Sequence, residues 1–348
     1  MSNKTNDISM AMSQDFNGVL QHIQQARQKA FAQVNSVLIE LYWQVGKTIS
    51  EKVQREAWGK GVVSELARYL ARTDPGIKGF SDKNLWRMKQ FYETYSENEE
   101  LATLWRVLSW SHNRLIMTLK SHEERAFYLN LSVQEKLSVR ELERQIDTAQ
   151  FERSRIGQKK LSVALRELHP DISATFKDNY VLEFLGLPEA HSESDLQKAL
   201  VKHMKAFILE LGKDFLFMGE QYRLQVGNQD FFIDLLFYHR GLSALVAFEL
   251  KIGKFLPEYL GQLNFYLEAL DRDVKKPHEN PGIGILLCRD KDDEVVEYAL
   301  SRHLSPTLIA QYQLQLPDKK LLQAKLHELS VREDLLGGEA QQENTREQ

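Results

Sequence analysis

The sequence predicts an all-helical N-terminal domain followed by an α/β (α+β) domain, a mixed sheet flanked by helices. In the first half, apolar residues recur at spacings of three and four, which is the period of a helix. In the second half, apolar runs of strand length alternate with helical segments. The composition changes at residues 169–171, which read His-Pro-Asp. We therefore expect a helical domain over 15–168 and a sheet domain over 169–330.

The last residues, 331–348, are expected to be a disordered tail. They hold five acidic residues, two arginines and few apolar residues, so they have little apolar surface to bury. The whole chain of 348 residues is long enough for two cores.

Several classes of protein are excluded by composition. The chain has no apolar run of membrane-spanning length, so we expect no membrane span. Its one cysteine, Cys288, rules out a disulfide framework. The first ten residues, MSNKTNDISM, lack the apolar core of a signal peptide. These features predict a cytoplasmic protein.

The charge argues against indiscriminate coating of nucleic acid, because the formal net charge is −4. Basic residues are nevertheless concentrated in two segments. Residues 52–89 contain nine Lys or Arg and four Asp or Glu, and residues 153–166 contain five bases and no acid. These two segments are the candidates for contact with nucleic acid.

The helices of the first half are predicted in order from these spacings. Residues 16–50 form the first helix, which ends at Gly46 or soon after, and residues 62–72 form the second. A turn at Pro75 and the next glycine separates the second from a third helix, which Ser81 can cap. The expected buried stripe of the third helix is Leu85, Met88, Tyr92 and Tyr95.

Two interpretations of the segment 61–95 remain open. One is a helical scaffold, because this periodicity is found in most soluble helical domains. The other is a DNA-binding helix-turn-helix that presents Lys83 and Arg87, four residues apart on one helix face, to phosphates or bases. Further along, Ser138 and Glu141 have capping-box spacing, which predicts the start of another helix.

The second half begins with a helix over 192–212, followed by a strand over 215–226. Residues 231–253 then form two strands joined by a His-Arg-Gly-Leu turn. A helix over 255–270 has Pro257 in its first turn, and residues 281–288 form one more strand. The predicted core stripes are Leu196, Leu200, Met204, Phe207 and Leu211 on the first helix, and Leu260, Leu263, Leu267 and Leu270 on the second.

Three charged residues stand out within the two apolar strands of 231–253. Side chains alternate across a strand, so Glu249 and Lys251 lie on one face of the second strand. If the strands pair antiparallel, Asp234 comes alongside Glu249. Two carboxylates about 4 Å apart repel by roughly 4 kcal/mol at an effective dielectric of 20, and a bound divalent cation would offset that repulsion. The group therefore resembles part of a magnesium site for phosphodiester hydrolysis.

The alternative is a purely structural role: a salt bridge between Glu249 and Lys251 on an edge strand, with Asp234 solvated. Aspartate is disfavoured within strands, which makes Asp234 the harder residue to explain in that way. Gln262 and Tyr266 share a helix face with Tyr259 and could hold water or phosphate, although they could equally be ordinary helix surface. On the helix before the sheet, Glu210 could complete the metal shell or be a solvated glutamate.

These residues resemble the PD-(D/E)xK nuclease superfamily, and in particular its YhcG-like group of bacterial proteins. The motif is Asp234, then Glu249-Leu250-Lys251, then Gln262 and Tyr266 in Gln-x-x-x-Tyr spacing. The resemblance to the YhcG-like group extends over most of the chain. It is carried by the segments GFSDKNLWRMKQFY, LSWSHNRLIM, LSVRELERQI, FILELGKDF, FFIDLLFYHR, AFELKIGKF and GQLNFYL. One departure is Ile233, where many members of the superfamily have a proline.

The resemblance implies a restriction-endonuclease-like core and a catalytic role for six residues. Asp234 and Glu249 would bind Mg²⁺ or Mn²⁺ with the Leu250 carbonyl, Lys251 would assist the attacking water, and Glu210 would be the acid on the first core helix. Gln262 and Tyr266 are the other two of the six residues.

Two functions from different classes follow from the sequence. The first is a Mg²⁺-dependent DNA endonuclease whose helical half holds or selects DNA. The alternative is a catalytically silent nuclease-like protein that binds DNA or a partner. Because cutting both strands generally needs two active sites, an endonuclease of this kind is expected to be a homodimer.

Overall fold

A computed structural model of the chain describes residues 2–55, 58, 60–156, 160–170 and 172–328. The expected disordered tail lies outside the described residues. The chain divides into two compact units, Met1–Glu143 and Arg144–Gln348. The domain boundary expected at 168/169 stays a prediction.

The N-terminal unit is helical over its described length. Its helices are α1 Ser2–Arg55, α2 Lys60–Thr73, α3 Asp82–Tyr95, α4 Ala102–Trp105, α5 Trp110–Ile116, α6 His122–Gln134 and the start of α7 Val139–Asp147. Aromatic rings form the core, where Trp43 stacks on Trp105 at 4.8 Å and Phe91 meets both rings edge-on. At the start of α7, the Ser138 N–H donates to Glu141 and the Glu141 N–H donates to the Ser138 hydroxyl, which is the expected capping box.

The first helix does not end near Gly46, as its sequence suggested, but continues to Arg55. Gly46 marks a close approach between two helices. A Cβ at this position would lie 2.0 Å from the backbone oxygen of Met88 in α3. The glycine is therefore needed for helix packing, which the sequence pattern did not distinguish from a helix stop.

The expected arrangement of a helix, a turn and a helix is present as α2, the turn at Pro75 and α3. Ser81 occupies the N-cap of α3, but its side chain makes no capping hydrogen bond. The buried residues of α3 are Leu85, Met88, Phe91 and Tyr95, so Phe91 takes the place predicted for the half-buried Tyr92.

The C-terminal unit combines helices with one mixed sheet. After α7, its helices are α8 Gln150–Ile156, α9 Val163–Leu168, α10 Ile172–Thr175, α11 Glu193–Lys202, α12 Met204–Leu211, α13 Tyr259–Ala269 and α14 Asp293–Leu300. Its strands are β1 Lys160–Leu161, β2 Asn179–Val181, β3 Phe215–Val226, β4 Gln229–His239, β5 Ala244–Lys254, β6 Asn280–Asp290 and β7 Thr307–Gln313.

The strand order in the described sheet is β1-β7-β6-β5-β4-β3, with β2 also beside β7. Strands β3, β4 and β5 pair antiparallel, whereas β5, β6 and β7 pair parallel. The sheet has an apolar core on each face. Helices α11 and α12 supply Leu196, Leu200, Phe207 and Leu211 to one core, and α13 supplies Leu260, Leu263 and Leu267 to the other, together with Leu270 directly after it. A mixed sheet flanked by helices is thus confirmed.

Several features differ from the sequence-based prediction. The helix expected over 255–270 begins at Tyr259, so Pro257 precedes it and does not lie in its first turn. The helix expected over 192–212 is broken at His203, whose φ of −106° and ψ of 27° separate α11 from α12. Strand β7 and its short partners β1 and β2 were not predicted. The short strands of two and three residues carry too little periodicity to be recognised.

Candidate active site

The charged residues of the two central strands lie together because β4 and β5 pair antiparallel across the His-Arg-Gly-Leu turn. Leu235 is opposite Phe248 and Leu236 is opposite Ala247, so Asp234 follows alongside Glu249. The Asp234 Oδ2 accepts a hydrogen bond of 2.9 Å from the Leu250 N–H. The carboxyl group of β4 is therefore fixed against β5 at the start of the Glu-Leu-Lys sequence.

The alternation of side chains on β5 separates the apolar residues from the charged ones. Val246, Phe248 and Leu250 belong to one core of the sheet, and Glu249 and Lys251 lie on the opposite face. Burial decreases at Lys251, after which β5 is exposed. The charged pair thus occupies the point where a buried strand reaches the surface.

Lys251 contacts two carboxylates and an aromatic ring. Its Nζ lies 3.0 Å from the Glu249 Oε1 and 3.6 Å from the Glu193 Oε2, and 5.2 Å from the ring centroid of Tyr259. Burial lowers the pKa of Lys251, but the hydrogen bond and charge of Glu249 and the charge of Glu193 raise it above its usual value. Lys251 is therefore a cation that is held in place by its neighbours.

The carboxyl group of Glu249 is the most perturbed acid of this group. Burial, followed by the nearby charge of Asp234, raises the pKa of Glu249 to about 7. Burial likewise raises the pKa of Asp234, against the lowering effects of the Leu250 N–H and of Lys251. One oxygen of Glu249, Oε2, is buried and has no hydrogen-bond partner among the described residues.

These observations fit a divalent cation with few protein ligands. An unpartnered buried carboxylate oxygen beside a second carboxylate is a position where a cation would replace the missing donor and reduce the repulsion. Among the residues that the structure describes, no group of three or more His, Cys, Asp or Glu is placed to hold a metal ion. Magnesium commonly uses one or two carboxylates and keeps several waters, so this donor set suits it.

Helix α13 brings its two predicted residues to the same side of the sheet. The Gln262 Nε2 donates a 2.6 Å hydrogen bond to the Tyr266 hydroxyl. The Tyr266 ring is buried in the core with the leucines of α13, whereas Gln262 is exposed. Burial and the charges of Glu249 and Asp234 raise the pKa of Tyr266, so its hydroxyl stays protonated. Tyr266 can therefore act as a hydrogen-bond donor.

Sequence reasoning missed three residues around Asp234 and Lys251. Glu193, in the first turn of α11, contacts Lys251, and Gln197, one turn later, donates to the backbone oxygen of Asp234 at 3.0 Å. The Gln221 Nε2 donates to the Asp234 Oδ1 at 3.1 Å, and Gln221 has a positive φ of 43° within β3. The feature of the sequence that could have identified Glu193 and Gln197 is their four-residue spacing, which places both on one helix face.

The structure does not bring Glu210 to this site, which corrects the expectation that it completes a metal shell. Glu210 is fully buried in α12, where its Oε2 accepts from the Arg144 Nη1 at 2.8 Å and its Oε1 accepts from the Val181 N–H at 3.0 Å. Lys177 and Arg153 lie 3.3 and 3.5 Å from Oε1. The charged groups of α7, α8 and the segment before β2 therefore hold Glu210 within its own buried cluster.

The predicted DNA-contacting residues belong to the N-terminal unit. Lys83 is exposed and Arg87 is half-buried, both on α3. Of the basic segment 153–166, Arg153 is buried and donates to the backbone oxygens of Thr148 and Asn179, so it stabilises the C-terminal unit.

We predict that Glu249→Gln stabilises the metal-free protein at pH 8 but not at pH 5. The folded-state pKa of Glu249, about 7, is raised above its usual value of 4.5. Because the folded-state pKa is raised, the contribution of Glu249 to the free energy of unfolding is fully present below about pH 4.5. This contribution is lost as the pH rises through 7. The gain at pH 8 should be on the order of 1–3 kcal/mol, reduced by the lost contact with Lys251.

Urea unfolding in the presence of a chelator, followed by circular dichroism at both pH values, measures this difference. The exposed Glu268→Gln variant is the matched control and should behave as the wild type does at both pH values. A Glu249→Gln protein that is less stable than the wild type at pH 8 would show that the ionised carboxylate is well accommodated without a cation.

Comparison with known proteins assigns each part of the chain to a family. Residues 173–327 match the family described as YhcG PDDEXK nuclease domain, and residues 18–153 match the family described as DUF1016 N-terminal domain. A protein of Escherichia coli (strain K12), named "Putative nuclease YhcG", is 34% identical over 346 residues, which cover 89% of this chain and 92% of that protein.

Two solved structures are similar to part of this chain. The crystal structure of a repair endonuclease from Pyrococcus abyssi is 14% identical and covers 37% of this chain and 50% of that one, with a TM-score of 0.25. The structure titled EndoMS-dsDNA2 complex is 15% identical and covers 38% of this chain and 47% of that one, also with a TM-score of 0.25. Over the described ranges, every helix is too short or too polar to span a lipid bilayer.

Proposed function

Because this chain belongs to the YhcG family of proteins with a PDDEXK nuclease domain, we propose that it is a Mg²⁺-dependent nuclease that hydrolyses phosphodiester bonds of DNA. The observation that carries this proposal is the convergence of Asp234, Glu249 and Lys251, with a buried Glu249 oxygen that lacks a hydrogen-bond donor. A structural salt bridge would need only Glu249 and Lys251. The raised pKa values of both carboxyl groups instead indicate a site that favours an added positive charge.

Asp234 and Glu249 are the proposed protein ligands of Mg²⁺ or Mn²⁺, with the Leu250 carbonyl as a further oxygen ligand. A bound Mg²⁺ would supply Lewis-acid polarisation of a phosphoryl oxygen and lower the pKa of a neighbouring water. The hydrogen bonds of Leu250 N–H and Gln221 to the two oxygens of Asp234 hold its carboxylate in a fixed orientation. This orientation is the contribution of the protein scaffold to cation binding.

Lys251 is proposed to act on the reacting phosphate and water. In hydrolysis, a water oxygen attacks phosphorus, the P–O bond to the leaving oxygen breaks, and a proton reaches that oxygen. The Lys251 ammonium, positioned by Glu249, Glu193 and the Tyr259 ring, can orient the attacking water and stabilise the negative charge that develops on the phosphoryl oxygens. Tyr266, which accepts from Gln262, can donate its own hydroxyl hydrogen to a phosphate oxygen.

Cleavage assays with the full-length protein test this proposal directly. Plasmid, linear, branched and single-stranded DNA are incubated with the protein, with Mg²⁺ or with a chelator. We expect cleavage of at least one substrate with Mg²⁺ and none with the chelator. If the wild type cleaves none of these substrates but binds them, the alternative of a catalytically silent DNA-binding protein is correct.

Metal binding provides a test that does not depend on finding the right DNA. We expect Asp234→Asn to weaken the binding of Mn²⁺ or Mg²⁺, measured by calorimetry, by at least about 10-fold, because one of two carboxylate ligands is lost. Asp230→Asn is the matched control on the same strand, since Asp230 is exposed and pairs with Arg223. Undiminished binding to Asp234→Asn would place the cation elsewhere.

The helical unit is proposed to hold DNA through the α2-turn-α3 segment. We predict that the double substitution Lys83→Ala and Arg87→Ala weakens DNA binding and lowers the slope of log affinity against log salt by about two, roughly one for each lost phosphate contact. The supporting observations are the surplus of bases over 52–89 and the position of both residues on α3.

The control for this prediction removes two cations from another surface. Lys320 and Lys325 are exposed, and Lys320→Ala with Lys325→Ala changes the net charge by the same amount. Fluorescence anisotropy with labelled duplex DNA at several salt concentrations measures all three proteins. Equal slopes for the two double variants would exclude a specific role for Lys83 and Arg87.

A further inference from the structure

The first helix carries an apolar face that its own unit leaves uncovered. Residues 19–34 of α1 are exposed at every position. Nine large apolar residues between Phe16 and Leu41 are 38–70% exposed: Phe16, Val19, Leu20, Ile23, Phe31, Val34, Val37, Leu38 and Leu41. At about 100° of rotation per residue, all nine fall within an arc of about 120°. They therefore lie on one face of α1 in two groups, 16–23 and 31–41, separated by the mostly polar residues 24–30, and we call this face the α1 stripe.

A helix with this composition needs a partner. Exposed helices that are stable alone are usually polar all round and rich in ion pairs between neighbouring turns. Residues 19–34 of α1 instead contain three Lys, Arg or His residues and no acid. Short isolated helices are marginal in water, and most helix stability in proteins comes from packing an apolar face. The α1 stripe thus indicates an association surface.

The spacing along the α1 stripe identifies the kind of partner. Positions 16, 20, 23, 27, 30, 34, 37 and 41 follow one another at steps of four and three, which is the heptad pattern of a coiled coil. In heptad notation Phe16, Ile23, Ala30 and Val37 occupy d, and Leu20, Arg27, Val34 and Leu41 occupy a. Such a seam is complementary to another helix with the same pattern. Charge does not prevent self-pairing, because residues 16–41 include only Arg27, Lys29 and Glu40 besides His22.

We infer that α1 pairs with α1 of a second copy of this chain in an antiparallel two-helix coiled coil. In a parallel pair, Arg27 would face Arg27 of the partner subunit at the same layer. In an antiparallel pair centred between residues 28 and 29, Arg27 lies beside Ala30 of the partner subunit, whose small side chain leaves room for the guanidinium to reach water. The same register pairs Leu20 with the partner's Val37.

The size of the α1 stripe agrees with a stable dimer. Residues 16–41 of α1 are about 39 Å long. If the six stripe residues at a and d lose roughly 80 Å² each, and Val19, Phe31 and Leu38 at the flanking e and g positions lose roughly half of that, each chain buries roughly 600 Å², the lower end of the ~600–1,000 Å² per partner of a specific interface. This pairing does not depend on the proposed nuclease activity, although it would bring two copies of the nuclease unit into one particle.

Sedimentation analysis of the full-length protein tests the pairing. The chain has a mass of 40.4 kDa, and we expect the wild type to sediment with twice that mass. Leu20→Lys with Val34→Lys places charges in the α1 stripe and should raise the dissociation constant by at least about 100-fold. Gln25→Lys with Ala32→Lys adds the same charge on the opposite, exposed face of α1 and should leave the dimer intact.

Because Leu20 and Val34 are exposed in the single chain, both double variants should keep a folded helical unit, which tryptophan fluorescence checks. A monomeric wild type would overturn the inference, and so would equal masses for the two double variants.

Disulfide cross-linking tests the antiparallel register. The native Cys288 is buried, so added cysteines can be oxidised selectively with copper phenanthroline. A mixture of Leu20→Cys and Val37→Cys chains should form a cross-linked dimer, whereas neither variant alone should do so. Cross-linking of Leu20→Cys by itself would overturn the antiparallel register in favour of a parallel pair.

Discussion

Lys251→Ala is expected to lower the rate of DNA cleavage by about 100- to 1000-fold and to leave DNA affinity nearly unchanged. Loss of an electrostatic donor that acts on transition-state charge typically has an effect of this size. Such a residue contributes little to ground-state binding, so turnover and affinity should separate. The Lys251 Nζ is well placed for this role, since two carboxylates and an aromatic ring fix its position.

Lys254→Ala is the matched control for Lys251→Ala. Lys254 is a more exposed lysine at the end of the same strand and lies 3.7 Å from Asp292. Its removal should change the cleavage rate little. Thermal melting of all three proteins verifies that they are folded. If Lys251→Ala cleaves DNA as fast as the wild type, Lys251 is only a salt-bridge partner of Glu249, and its removal should appear as a loss of stability alone.

Glu210→Ala is expected to destabilise the C-terminal unit by about 3–5 kcal/mol. Burial raises the pKa of Glu210, but Lys177, Arg153 and Arg144 together lower it to about 2. The carboxylate is therefore charged and balances several buried cations. Removing one member of a buried ion cluster leaves the remaining charges without compensation, which is one of the most destabilising single changes.

The control for Glu210→Ala is Glu268→Ala, which removes an exposed carboxylate paired with Arg272 on the same unit. Its effect should stay within about 0.5 kcal/mol. Urea unfolding followed by circular dichroism compares the variants. The five tryptophans all lie before residue 111, so tryptophan fluorescence reports separately on the helical unit. If Glu210→Ala lowers the free energy of unfolding by less than about 1 kcal/mol, water compensates the charges of the remaining cations.

The sequence could predict the pairing of Asp234 with Glu249 because the determinants are local. Two apolar strands joined by a short turn can only pair as neighbours, and alternation then assigns each side chain to a face. Glu210 could not be placed in this way, because its partners Arg144 and Lys177 are distant in sequence and no periodicity records them. The role of Gly46 could not be predicted either, because a helix stop and a close contact between helices both favour glycine.

The order of the strands has a consequence for how the protein is made. Strand β7 lies between β6 and the short strands β1 and β2. Lys160 can therefore pair with Ile309 only after residue 309 has been synthesised. During translation, the helical unit can complete its local contacts long before this point, whereas the sheet exposes the unpaired edge of β6 until residue 313 has left the ribosome. Nascent chains interrupted before β7 would therefore be prone to aggregate and to need chaperones, because the nuclease unit cannot be completed until residue 313 has been made.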